Sequence, residues 1–248
     1  MKIKNKIRLF VDTNLQEDTK IELTTEQSHY LCNVMRLKDG DSISCFNGKN
    51  GEFLSQIIKI HKKQTQVNIN KRIKAQKSSP DIWLLFAPLK KDCTDFLIQK
   101  SVELGVKGLL PIITENSITD KVRVDRLQAQ IIEASEQCER LDIPQLFEPQ
   151  NLNYVLKNWD NSRVLYLMDE RRQGVCAAKA FGDHAKNPSA ILIGPEGGFS
   201  DSEFKSLYKL PFVCGVSMGP RILRAETAAV AALSVWQAVA GDWKGENK

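Results

Sequence analysis

The sequence lacks the residue patterns of a metal site and of a disulfide-rich protein. Its six cysteines are scattered singly, with no C-x-x-C pair, and its three histidines, His29, His61 and His184, share no ligand spacing. These absences argue against a structural zinc and against a disulfide framework. Isolated cysteines are typical of a reducing compartment, so we expect a cytoplasmic protein that holds no metal.

Long apolar runs and nucleotide-binding fingerprints are also missing. No apolar stretch approaches the roughly 20 residues that cross a bilayer, and charges interrupt the first ten residues, MKIKNKIRLF, where a signal peptide would be apolar. Neither G-x-x-x-x-G-K-[ST] nor G-x-G-x-x-G occurs. We therefore expect a soluble protein with no membrane partner, and find no support for a nucleoside triphosphate or dinucleotide cofactor.

The excess of positive over negative charge lies wholly in the first third of the chain. Residues 1–79 contain 15 lysines and arginines against 8 acidic residues, whereas the rest contains 20 against 22. Such an excess can be a solubilising surface or a surface that binds nucleic acid, where cations displace counterions from phosphates. In KIKNKIRL, a strand would place Lys2, Lys4, Lys6 and Arg8 on one side.

The first third also has the pattern of a small β domain. Strand-like segments occupy residues 42–46, 53–60 and 65–69, NGKNG is a good hairpin turn, and residues 25–36 form one helix. KRIKAQKSSP has the composition of a linker. We place the two domains at residues 1–74 and 75–248.

The second domain alternates short aliphatic runs with helical patterns. The runs IWLLFA, GLLPII, RVLYLM, AILIG and FVCGVS are typical of strands buried on both faces. Helices are predicted over residues 92–104 and 125–140, the second with a buried stripe through Leu127, Ile131 and Ala134. This alternation predicts an α/β fold with a mainly parallel sheet.

A glycine-rich loop, LIGPEGGFSDSEF, follows the AILI run. It can be an ordinary turn into the helix that the capping box Ser200-x-x-Glu203 opens, or a ligand loop beyond a strand end. Glu196 would repel the polyphosphate that a glycine nest attracts. The loop therefore suits a ligand that is uncharged or positive.

A second loop, SMGPRILRAETA, repeats the Gly-Pro step and leads into an alanine-rich helix over residues 225–240. Arg221 and Arg224 lie at the helix start, where cations oppose the helix dipole unless an anion binds there. An acid in one loop and two arginines in the other favour a cationic cofactor beside an anionic substrate.

These two loops resemble the signature loops of the RsmE family of SPOUT-class RNA methyltransferases. IRLF, HYLCNVMRLKDGD, KKDCTDFLIQKSVELGV and EASEQCER extend the resemblance over most of the chain. It implies an amino-terminal PUA-like β-barrel domain, then a SPOUT α/β domain with a carboxyl-terminal trefoil knot. It also implies a homodimer.

The resemblance further implies S-adenosyl-L-methionine as cofactor and N3 of a uridine in 16S rRNA of the small ribosomal subunit as substrate, with a role in rRNA processing. It assigns catalysis to Arg224 and Arg221. It assigns cofactor binding to Leu167, Ile193, Gly194, Pro195, Glu196, Gly197, Gly198, Met218, Gly219, Ile222 and Leu223. From the residues themselves we also expect RNA contacts at Arg8, Arg36, Lys38, Gln137 and Arg140.

Two positions depart from the family pattern and bear on substrate contacts. Asn116 stands where an arginine is usual, and Leu127 where an aromatic residue is usual. Two alternatives stay open: a catalytically inactive RNA-binding relative, and a SPOUT enzyme that acts on another RNA. The general base is open too, because Glu226 can equally be a first-turn helix acid.

Overall fold

The computed structural model describes residues 7–245, which form two compact units. The first unit contains residues 7–78 together with Ser135–Ile143, and the second contains Ser79–Ala134 and the chain from Pro144 onward. Residues 135–143 therefore pack with the first unit, although they lie inside the second domain in the linear division at residue 74.

The first unit is built on a five-stranded sheet in the order β1-β3-β4-β5-β2. Its elements are β1 (Arg8–Phe10), β2 (Thr19–Glu22), α1 (Thr25–His29), a π-helical turn (Tyr30–Val34), β3 (Ser42–Phe46), β4 (Glu52–Lys59) and β5 (Gln66–Lys74). β1 pairs with β3 in parallel, and the other pairs are antiparallel.

The sequence predicted most of this unit, including a strand that ends near Phe10 and the helix from Thr25. That helix is α-helical only to His29, beyond which the backbone continues as the π-helical turn. β2 was not predicted, since only Ile21 of its four residues is buried. Lys2, Lys4 and Lys6 lie outside the described residues.

Arg8 lies in the interior of the first unit, at 6% exposure. Its Nη1 donates to the carbonyls of Ser135 and Glu136 at 2.8 and 2.9 Å, and its Nη2 to the carbonyl of Arg140 at 2.9 Å. These carbonyls belong to the last residues of a helix and the turn after it, where backbone acceptors lack intrahelical partners. The guanidinium also lies 4.2 Å from the centroid of the Phe46 ring.

Glu52 balances the charge of Arg8 inside the unit. Its side chain is fully buried, with Oε2 at 3.3 Å from Nε of Arg8 and 3.2 Å from Nζ of Lys74. Burial raises the pKa of Glu52, but the Ser44 hydrogen bond and the charges of Arg8 and Lys74 outweigh it and hold the pKa below its usual value.

The second unit is built on eight parallel strands, and the main sheet has the order β11-β13-β10-β12-β6-β7-β8, with β9 paired to β7. The strands are β6 (Ile82–Phe86), β7 (Gly108–Ile113), β8 (Gln145–Leu146), β9 (Gln150–Asn151), β10 (Val164–Met168), β11 (Val175–Cys176), β12 (Ser189–Ile193) and β13 (Val213–Ser217). The helices are α2 (Lys91–Glu103), α3 (Val124–Gln137), α4 (Leu152–Lys157), α5 (Ala177–Asp183), α6 (Asp201–Leu207) and α7 (Ala225–Val239), followed by a 3-10 turn (Asp242–Lys244).

The five aliphatic runs form the five long strands of this sheet, and β12 is buried at every residue. This confirms the α/β fold with a parallel sheet. The predicted capping box is also present, because the Ser200 hydroxyl accepts from the Glu203 amide and the Glu203 carboxylate accepts from the Ser200 amide. The trefoil knot and the division at residue 74 stay predictions.

Replacing Glu52 with glutamine is expected to destabilise the first unit by roughly 3 kcal/mol at pH 7, because it leaves the buried Arg8 charge without its carboxylate. Hydrogen exchange of the β3 and β4 amides measures the loss. The pKa of Glu52 is lowered by folding, so its contribution is complete above the pKa of an unfolded glutamate. It disappears as the pH falls through the lower folded-state pKa.

The matched control is Asp12→Asn, which removes an exposed carboxylate from the same unit and should leave exchange unchanged. Equal protection of wild-type and Glu52→Gln protein at pH 7 would show that the Arg8–Glu52 pair does not hold the unit together.

Candidate active site

A cavity of about 780 Å³ lies at the carboxyl ends of three neighbouring strands of the second unit. β10 is hydrogen-bonded between β12 and β13, so the loops that follow these strands meet at one edge of the sheet. Parallel α/β sheets bind ligands in this position. The cavity volume is within the range of small-molecule sites.

The loop after β12 is a tight turn that needs glycine at two positions. The Gly198 amide donates to the Pro195 carbonyl at 2.9 Å, and Gly198 has a φ of 70°. A Cβ on Gly198 would lie 2.5 Å from Oε1 of Glu170, and one on Gly194 would lie 2.8 Å from the Phe199 ring. The backbone of this loop therefore packs too closely for side chains and is itself exposed to the cavity.

Residues of a neighbouring loop and helix hold the glycine loop in place. Asn116 donates from Nδ2 to the Gly198 carbonyl at 3.1 Å. Glu203, which caps α6, also accepts from the Glu115 amide at 2.9 Å. The asparagine that stands in place of the family's usual arginine therefore contacts the glycine loop.

The loop after β10 contributes two acidic residues to the cavity lining. The Asp169 carboxylate accepts from the Tyr208 hydroxyl at 2.7 Å and from the amides of Arg171 and Gln173 at 2.7 and 2.8 Å. Burial raises the pKa of Glu170, although a hydrogen bond from the Phe199 amide opposes that shift. Asp169 is thus fixed by three donors, and Glu170 lies against the glycine loop.

The loop after β13 carries Arg221 and Arg224 into the same cavity. Arg224 is the N-cap residue of α7, and its side chain makes no capping hydrogen bond. Among residues 7–245, neither arginine forms an ion pair with a carboxylate. A cation at a helix start is unfavourable on its own, so both guanidinium groups are available to an anion.

The cavity lining is balanced in charge. Four cationic residues line it, namely Lys90, Arg172, Arg221 and Arg224. Four acidic residues line it as well, namely Asp169, Glu170, Glu196 and Glu226. Such a site can hold a ligand that carries both signs of charge, or a cationic ligand beside an anionic one.

The structure brings together nearly all residues predicted for the site. Arg221, Arg224 and the predicted residues of the two glycine loops, 193–198, 218, 219, 222 and 223, line one cavity. Leu167 is different: it is fully buried in the core of the sheet, and the next residue, Met168, lines the cavity instead.

Sequence reasoning missed the cavity residues outside the two glycine loops. They are Lys90, Cys93, Ile118, Met168, Asp169, Glu170, Arg172, Ala225 and Ala228, whereas Glu226, also in the lining, was considered as a general base. Met168 is the last residue of a predicted strand, and Lys90 and the Asp169–Glu170 pair come shortly after one. The general placement of ligands at the ends of parallel strands was the signal that could have found them.

The residues predicted to bind RNA all lie in the first unit, but they differ in accessibility. Arg36, Lys38 and Gln137 are exposed. Arg8 is buried and bonded to helix-end carbonyls, and the Arg140 side chain is 8% exposed and paired with Asp142 at 3.1 Å. Arg8 and Arg140 thus have internal partners, and the RNA contacts expected of these five residues stay predictions.

Two kinds of site are absent from residues 7–245. No cluster of three or more His, Cys, Asp or Glu side chains could ligate a metal ion there. None of the helices in this range is both long and apolar enough to span a membrane.

Comparison with known proteins places the chain in a family. Residues 76–237 match the model of an RNA methyltransferase domain, and residues 23–70 match that of an RNA methyltransferase PUA domain. A protein of Rickettsia conorii named ribosomal RNA small subunit methyltransferase E is 32% identical over 92% of this chain and 93% of its own length. A protein of Buchnera aphidicola with the same name is 33% identical over 98% of each chain.

Solved structures agree in fold. A methyltransferase from Legionella pneumophila with bound SAM has a TM-score of 0.87 and 34% identity, covering 96% of this chain and 100% of that one. A ribosomal RNA small subunit methyltransferase E from Neisseria gonorrhoeae, bound to S-adenosyl methionine, has a TM-score of 0.87 and 27% identity with the same coverage. The chain therefore belongs to the RNA methyltransferase family that includes the proteins named ribosomal RNA small subunit methyltransferase E.

Proposed function

We propose that this protein transfers the methyl group of S-adenosylmethionine to N3 of a uridine in 16S rRNA. The observation that carries the proposal is the 780 Å³ cavity, in which two glycine-proline loops and two unpaired arginines meet. Relatives with this fold are named as small-subunit rRNA methyltransferases, and two solved neighbours hold S-adenosylmethionine.

The residues present fit this cofactor. Gly194, Gly197 and Gly198 line the cavity without side chains, so their backbone groups are open to a ligand. Met168, Ile193, Ile222 and Leu223 supply apolar lining. The carboxylates of Glu170 and Glu196 are available to the cofactor's positive groups, which is consistent with an acidic residue in a glycine loop.

The arginines are assigned to the RNA. When bound, S-adenosylmethionine supplies an electrophilic methyl group. Uridine N3 must lose its proton, and the negative charge then spreads onto the base oxygens. Arg224 and Arg221 are placed to stabilise that charge or to bind the nucleotide's phosphate, since both are free of carboxylate partners within residues 7–245. Preorganised donors of this kind contribute several kcal/mol.

The first unit is assigned to holding the rRNA of the small ribosomal subunit. Arg36 and Lys38 are exposed, and the basic excess of the chain lies in residues 1–79. The proposal includes a cytoplasmic homodimer that acts in rRNA processing and carries the family's knot. Support for a partner subunit comes from Ile222, which is 74% exposed although it borders the cavity.

The protein is expected to bind S-adenosylhomocysteine saturably in the presence of EDTA, and Gly198→Ala should weaken that binding at least tenfold. An added methyl group would be strained at a φ of 70° and would meet Glu170. A tenfold change corresponds to about 1.4 kcal/mol. Isothermal titration calorimetry measures both affinities.

Gly40→Ala is the matched control. Gly40 also has a positive φ, of 90°, but nothing lies within 4 Å of its added Cβ, and it is not in the cavity. The control should bind like wild type. If wild-type protein gives neither heat nor thermal stabilisation with S-adenosylmethionine or S-adenosylhomocysteine, the methyltransferase proposal is wrong.

Arg224→Ala is expected to slow single-turnover methyl transfer to 30S subunits by about a hundredfold to a thousandfold, because it removes a preorganised donor for the developing negative charge. Cofactor affinity should change less than twofold, since the glycine loops remain. Arg224→Lys should recover only part of the rate, because an ammonium group cannot make a planar two-pronged contact.

The rate and the affinity are measured on the same preparations. Near wild-type turnover by Arg224→Ala would remove Arg224 from catalysis. A parallel loss of cofactor binding and activity would show instead that Arg224 holds the cofactor.

A further inference from the structure

A second cavity, of about 360 Å³, lies in the same unit and is separate from the cofactor cavity. One wall is the segment that joins β6 to α2, and the other is the segment that leads from β7 into α3. No role assigned to the protein so far uses this cavity.

The floor of the second cavity is apolar. Phe86 and Leu127 are buried residues at 0% and 1% exposure, and Pro88, Leu89 and Val122 complete the surface. Every nucleobase has an apolar π face that stacks or packs on such surfaces without regard to its identity. The floor therefore suits a flat, uncharged ring.

Cations surround this apolar floor. Nη1 of Arg126 donates to both carboxylate oxygens of Asp95, at 2.6 and 2.7 Å, and Arg123 pairs with Asp125 at 2.7 Å. Lys91 and Lys121 also line the cavity, and within residues 7–245 neither has a carboxylate partner. Two uncompensated positive charges thus lie beside the apolar floor, as a nucleotide's phosphate requires.

The two cavities adjoin each other at two places in the chain. Lys90 lines the cofactor cavity and Lys91 the second cavity, and likewise Ile118 lines the first and Thr119 the second. Consecutive Cα atoms are about 3.8 Å apart. A single RNA strand can therefore occupy both cavities with adjacent nucleotides.

We propose that the second cavity binds the nucleotide next to the target uridine. The base lies on the floor around Leu127 and Val122, and Lys91 and Lys121 bind its phosphate. This inference rests on the proposed function, because it takes the larger cavity as the site of the cofactor and the target base. By binding the neighbouring nucleotide, the second cavity would fix the position of the RNA strand relative to the cofactor.

The test measures binding of a nine-residue oligouridylate to protein saturated with S-adenosylhomocysteine, over a range of salt concentrations. The double variant Lys91→Gln/Lys121→Gln should bind more weakly. Its slope of log K against log salt should be shallower by about 0.7, since the two lysines bind one phosphate and each single-strand phosphate contact contributes about 0.7. The control Lys157→Gln/Lys209→Gln removes two exposed lysines that line neither cavity and should keep the wild-type slope.

A second set of variants fills the apolar floor and so tests the contact with the base independently of the contact with the phosphate. Thr119→Trp should weaken oligouridylate binding and leave the salt slope unchanged, and Val122→Met should act in the same direction by filling the floor itself. Unchanged cofactor affinity by calorimetry shows that each variant is folded. The same measurement distinguishes this inference from the proposed function. The proposed function fails if the wild-type protein does not bind the cofactor.

Three results would overturn the inference. The first is a double variant that behaves like its control. The second is wild-type oligouridylate affinity in both floor variants. The third is wild-type protein that binds cofactor but no oligouridylate.

Discussion

The parallel pairing of β10 between β12 and β13 is the constraint on which the site depends. Because all three strands run in one direction, their carboxyl ends and the loops after them lie at one edge of the sheet. This arrangement brings three loops into one cavity. The loop after β10 supplies acids, the loop after β12 supplies glycine backbone and the loop after β13 supplies arginines. Residues 168–170, 194–198 and 218–224 are far apart in sequence and meet through strand order alone.

The arginines of the chain fall into two groups, those that pair with a carboxylate and those that are available to bind an anion. The chain has eleven arginines, and six of them, Arg8, Arg123, Arg126, Arg140, Arg163 and Arg171, pair with carboxylates. Within residues 7–245 the other five do not, and three of these, Arg172, Arg221 and Arg224, line the large cavity. An unpaired guanidinium loses nothing internal when it binds an anion, so these groups are suited to an RNA substrate.

The sequence predicted the elements with strong local patterns and failed where tertiary contacts decide. β12 and the Ser200–Glu203 capping box are encoded by neighbouring residues, so both were predicted. The alternating pattern that contains Arg8 cannot reveal that Ser135 and Glu136, more than 120 positions away, accept its hydrogen bonds. Leu167 is buried and Met168 lines the cavity instead, because packing decides which residue at the end of β10 reaches the cavity.

The most direct test of the account is the modification state of uridine in 16S rRNA. Ribosomal RNA from cells that lack this protein is digested to nucleosides and analysed by mass spectrometry, with the wild-type gene or the Arg224→Ala gene returned. The account predicts that 3-methyluridine is lost, is restored by the wild-type gene and is not restored by the variant. Undiminished 3-methyluridine in the 16S rRNA of cells without the protein would contradict it.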